Sequence, residues 1–164
     1  MKDAVEVCGQ AGEKKEQVLA ITKLVELHLY LAQNESEARP GSGGRRPKSL
    51  QEAMTATLDL LKLVRSMGDL HAQATALAQL SGLHLMKKDS EAALEAAKEC
   101  LEASVAINEP LPVGRALCLV AEAYVALGDM EQAKQAASEA KSVFEMAGDQ
   151  ESIDMAASLV DDAK

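Results

Sequence analysis

The chain has 164 residues, 48% of them apolar but only 2% aromatic, the aromatic ones being Tyr30, Tyr124 and Phe144. Its 17 basic and 26 acidic residues leave a formal charge of −9, which repels phosphate backbones and argues against nucleic acid as a partner. Alanine and leucine supply the apolar content, which suits close-packed helices better than sheets.

In chain order, Ala4, Val5 and Cys8 read as the end of a helix that turns at Gly12-Glu13, with no apolar stretch of the secretory kind. An apolar helical stretch, "LVELHLYL" (Leu24 to Leu31), comes next. "RPGSGGRRP" (Arg39 to Pro47) then has the composition of a linker. After it, Ser49 and Glu52 fit the capping-box spacing of a helix start, and Gly68 sits where a helix end needs a left-handed residue. The next helix carries Leu77, Ala78, Leu80, Leu83 and Leu85 on nearly all sides. Its successor confines Ala93, Ala97, Cys100, Leu101 and Val105 to one side, opposite Glu91, Glu95, Lys98, Glu99 and Glu102. The all-round pattern returns with Ala116, Leu117, Leu119, Val120 and Val125. The apolar run Ala116 to Leu127 contains Glu122 and is too short to span a bilayer. Asp129 and Gln132 again have capping-box spacing, Gly148 is a further left-handed candidate, and Ile153, Ala156, Ala157 and Val160 begin another helix.

These elements repeat. "GLHLMKKDSEAALEAA" aligns with "EAYVALGDMEQAKQAA" at an offset of 40, and the turns at Met67–Asp69, Ile107–Glu109 and Ala147–Asp149 keep the same interval. "LVELHLYL" aligns with "LSGLHLMK" at 56, while Ala53 aligns with Ala93 at 40, so 16 residues are inserted within one unit. The Gly-Arg stretch is therefore an insertion at about 35–48, not a domain boundary. The expected fold is all-α: a single solenoid, 1–164, of antiparallel helix pairs, with units at about 13–69, 70–109 and 110–149. Half-units are expected at 1–12 and 150–164, which predicts an excerpt of a longer array, a chain whose ends pack on something else, or a C-terminal cap made polar by Asp161 and Asp162.

The residues from Leu119 to Ala133 resemble the tetratricopeptide repeat family, whose unit is a helix–turn–helix of about 34 residues. Val120-Ala121 resemble its Leu-Gly pair, Tyr124 its Tyr, Gly128 its turn Gly, and Ala133 and Ala140 its small residues in the second helix. The preceding unit departs from the pattern with His84, Lys88 and Cys100 at the Tyr, Gly and later Ala positions. The 40-residue spacing resembles the longer repeats of kinesin light chains and Leu-Gly-Asn-type scaffolds. This resemblance implies a right-handed α-solenoid of about three repeats that binds a protein or peptide on its concave face. By analogy that face comprises Thr22, Glu26, Leu29, Tyr30, Ala78, Gly82, Leu85, Met86, Arg115, Cys118, Glu122 and Val125. The Lys/Asn carboxylate clamp of chaperone-binding members is not visible there. The alternative is a structural or regulatory part of a larger assembly, its apolar surfaces permanently covered.

No residue pattern points to catalysis, a metal or another cofactor. His28 and His84 occupy equivalent positions but lack a completing ligand, so packing between helices accounts for them. No nucleophile stands in a motif with a base, and "GSGG" lacks the Lys-Ser/Thr of a phosphate loop. Cys8, Cys100 and Cys118 are far apart and odd in number, which fits a reducing compartment such as the cytoplasm. On this acidic chain, Arg45, Arg46 and Lys48 of the insertion offer a contact for an acidic partner, or belong to a tolerated solvent loop. Ser49 has the spacing of a basophilic kinase site.

Overall fold

A computed structural model describes residues 12–27, 30 and 48–162, in which every regular element is an α-helix. Helix α1 covers residues 12–27. It is followed by α2 (Lys48–Met67), α3 (Leu70–Met86), α4 (Ser90–Ile107), α5 (Pro110–Leu127), α6 (Met130–Ala147) and α7 (Gln150–Asp162). The chain divides between Gly68 and Asp69 into two compact units.

In the first unit, α2 buries Leu50, Ala53, Met54, Thr57, Leu60, Leu61 and Val64 at spacings of three and four, which places them on one face. The Thr57 hydroxyl keeps its place there by donating to the Ala53 carbonyl at 2.9 Å. On α1, Val25 is buried while Leu19, Leu24 and Leu27 are exposed. Most of the inserted segment, with Arg45 and Arg46, lies outside the described residues, as do His28, Leu29 and the expected first half-unit. Two expectations need correction at its end. Lys48 is already helical, so Ser49 is inside α2 and not at its cap. Ser49 is also only 4% exposed, which removes it as an accessible phosphorylation site.

In the second unit the helices start at residues 70, 90, 110, 130 and 150. Each helix packs on its successor; α3 also touches α5, and α5 touches α7. Within this unit short turns, of three residues between α3 and α4 and of two elsewhere, reverse the chain each time, so α3, α5 and α7 form one layer and α4 and α6 the other. The local chemistry of those turns explains the regularity. Gly68, Gly128 and Gly148 take φ of 67°, 83° and 71°, and Lys88 and Asn108 take φ of 60° and 61° at the corresponding points. At Gly128 and Asp129, backbone N–H groups donate to Val125 and Tyr124 carbonyls at 3.0 Å, closing the helix end. Asp69, Asp89 and Asp129 then accept from the N–H groups of Ala72, Ala92 and Gln132 to start the next helix. Glu109 makes no such bond; Pro110 opens α5 instead.

Alanine dominates the core. Ala97, Val120, Ala121, Ala136 and Ala137 form one buried cluster, and Leu117, Cys118, Ala140, Phe144 and Ala156 form another. Small side chains let helix axes approach closely. Buried polar groups then bridge helices, with the Ser81 hydroxyl donating to the Ala93 carbonyl at 3.0 Å and Cys100 Sγ to the Ala74 carbonyl at 3.3 Å. Helix α5 has 18 residues and a mean hydropathy of 1.4, long and apolar enough by composition to cross a membrane. Here α3, α4, α6 and α7 all pack on it, and its apolarity is used against them.

Candidate interaction groove

Between α3 and α5, with α4 behind them, lies a groove of about 350 Å³. Its floor is Ala74, Cys100, Ser104 and Ala116, all buried. Ala78, Ile107, Pro112 and Leu119 line its half-buried walls, and His71, Thr75 and Arg115 are exposed at its edge. His71 Nε2 stands 4.0 Å from Glu109 Oε1, joining α3 to the turn before α5. The charge of Arg115 reaches Asp149 on the turn before α7. Hydrogen bonds from Ser152 are the main reason that the Asp149 carboxyl lies below its ordinary value, and Arg115 assists.

Of the residues expected on the binding face, the structure brings Ala78 and Arg115 together in this groove. Gly82, Leu85 and Met86 lie farther along α3, and Glu122 and Val125 farther along α5. Met86 and Glu122 are exposed, the others half-buried. Thr22, Glu26 and Tyr30 belong to the first unit. The Thr22 hydroxyl is spent on the Val18 carbonyl at 2.8 Å, Glu26 pairs with Lys23 at 2.8 Å, and Tyr30 is exposed. Cys118 needs correction. At 4% exposure it is a core residue clustered with Phe144 and Ala156, and its thiol cannot face a partner.

The titratable groups show what chemistry is within reach. Burial, with the charge of Glu122 adding to it, pushes the Cys118 thiol up to about 11. Burial also raises the Cys100 thiol, against a hydrogen bond with Ser104. Neither offers a thiolate near neutral pH. The Glu122 carboxyl is itself raised by desolvation, although the residue as a whole remains exposed. His84 lies 3.8 Å from Asp89, with Nδ1 buried and lacking a hydrogen-bond partner; desolvation lowers its pKa. At the equivalent position on α5, Tyr124 lies under Lys98 Nζ, 5.5 Å from the ring centre. Among the described residues no three His, Cys, Asp or Glu side chains gather as a ligand set.

Paired helices in two layers, joined by turns of two or three residues at fixed intervals, define a helical-repeat fold of the tetratricopeptide kind. Among solved structures, 27 chains match it. One is a Signal Transduction ATPase with Numerous Domains protein from Pyrococcus horikoshii that carries a tetratricopeptide repeat sensor. It is 16% identical with a TM-score of 0.64, over 88% of this chain and 21% of that one. The likeness is one of fold, and the chain spans about a fifth of that protein's length. No family profile matches the sequence, and no curated protein matches it.

Proposed function

We propose that the chain is a non-catalytic protein-interaction scaffold, a right-handed solenoid of about three tetratricopeptide-like repeats similar to the long repeats of kinesin light chains. It binds a peptide or helix on the face lined by the first helix of each pair. The observation that carries this reading is the groove between α3 and α5, apolar on floor and walls with a few polar groups at its edge. Such a trough suits an apolar segment fixed in orientation by a small number of polar contacts. Two free, buried cysteines with raised pKa values support binding over thiol catalysis and agree with a reducing, cytoplasmic setting.

Short random peptides displayed on phage and selected on the full chain test the reading. Binders should lose about tenfold or more in affinity on Ala78→Glu in the groove wall. They should keep it on Val105→Glu, on the exposed side of α4. Absence of binders, or binders indifferent to Ala78→Glu, would refute it.

The multidomain setting of the structural neighbour's repeat sensor favours a second reading, a regulatory or structural part of a larger assembly. An isolated chain that aggregates, and becomes soluble only with a co-expressed neighbour, would select that reading over the free adaptor.

A further inference from the structure

Moving 40 residues along the chain superimposes the groove on a filled site. Ser104 corresponds to Phe144, Ala74 to Gly114, Cys100 to Ala140 and Ala116 to Ala156. In the later repeat the Phe144 ring is 0% exposed and clusters with Ala140 and Ala156. It lies so close to Gly114 that a Cβ there would stand 2.5 Å from Cε1. In the earlier repeat the ring is replaced by the hydroxymethyl of Ser104, and the floor beneath the opening is 1% exposed at that residue. The groove has the floor of a ring site without the ring.

From this exchange, and building on the peptide-binding reading above, we propose that the groove receives an aromatic side chain of a peptide partner, with a neighbouring carboxylate of that peptide meeting Arg115. Three further features agree. The volume of about 350 Å³ is ample beside the roughly 150 Å³ apolar cavity that holds benzene. On the floor, Cys100 Sγ already donates to the Ala74 carbonyl at 3.3 Å, a bond within the protein that an entering ring leaves intact. Arg115 is the single lysine or arginine among the groove's lining residues, on a chain of net charge −9. A local cation there favours an acidic neighbour to the ring.

The decisive variant transplants the filled site. Ser104→Phe supplies the ring, and Ala74→Gly removes the Cβ that would block it. On the full chain, peptides from the phage selection should carry Phe, Tyr or Trp beside Asp or Glu. The double variant should weaken them at least tenfold while retaining its helicity, and Arg115→Met should weaken them severalfold. Phenylacetate, but not acetate, should compete for the wild-type chain and shift the methyl resonances of Ala74 and Ala116; this arm decides if the double variant does not fold. Peptides without an aromatic residue, or peptides that bind the filled variant normally, would overturn the inference and leave the scaffold reading intact. Affinity unchanged by Arg115→Met would overturn the carboxylate contact. A wild-type dimer that the double variant dissociates would make a second copy the occupant and also overturn the proposal. Selection of no peptide at all would overturn both readings.

Discussion

Replacing Gly114 by alanine tests the packing that distinguishes the two repeats. In an open helix interior this change stabilises by about 0.5–1 kcal/mol, because glycine loses more backbone freedom on folding. At Gly114 the new Cβ would stand 2.5, 2.7 and 2.8 Å from three atoms of the Phe144 ring, about 0.9 Å inside the 3.4 Å where ordinary contact begins. That ring is 0% exposed and cannot swing into solvent. With the ring enclosed, the overpacking falls in the upper part of the usual range, about 2–3 kcal/mol, and subtracting the helix gain of about 0.5–1 leaves a loss of about 1–2.5 kcal/mol. For a chain of this size that lowers Tm by about 2–10 °C, read by far-ultraviolet circular dichroism. Gly82→Ala is the control. Gly82 is also interior to a helix, and a Cβ added there would meet nothing within 4 Å, so Tm should rise by about 1–4 °C. Phe144→Leu should recover part of the Gly114→Ala loss, with a coupling of at least about 0.5 kcal/mol in a double-mutant cycle. A Gly114→Ala protein as stable as wild type would refute the reasoning.

Other consequences can be checked in the same way. Ala121→Leu places a large side chain in the Ala97, Ala136 and Ala137 cluster and should cost about 1–3 kcal/mol in denaturant unfolding; an unchanged midpoint would contradict that packing. The His84 pKa lies below its ordinary 6.5 in the folded chain, so the unfolded chain binds the proton more readily. The stability from His84 is complete above 6.5 and is lost as pH falls through the folded value. His84→Gln should flatten that part of the Tm–pH curve, whereas the Asp89 contribution falls only below 3.8. Cys118, with its thiol near 11, should resist alkylation at mildly alkaline pH until the chain unfolds; rapid labelling of the native protein would refute its burial.

Much of the helical pattern was legible because it rests on local demands. Gly68, Gly128 and Gly148 meet a backbone requirement that few other residues satisfy cheaply, and Asp129 declares a helix start by its own hydrogen bond. Ser49 and Glu52 carry the same local signature, yet α2 begins earlier and buries the serine, a choice that cap spacing cannot express. The binding face was only partly legible. Ala78 and Cys118 are equivalent by the 40-residue offset, but one lines a groove and the other is core. The difference is made by Phe144, which lies on another helix and closes the space in one repeat only. The exchange of Ala74 and Ser104 for Gly114 and Phe144 was in the aligned sequence. Its meaning depends on those two positions touching across helices, which periodicity does not state.

The unequal filling of the two repeats also sets an order of opening in time. Around α6, release of the backbone must pull a fully enclosed aromatic ring from between α5 and α7. Around α4 the same position holds a serine beside an existing void, so less apolar contact is broken. Amide hydrogens of α4 should therefore exchange with solvent sooner than those of α6, although the two helices have equal length and each starts from an aspartate cap. The repeat that offers the groove should then be the one whose backbone opens first.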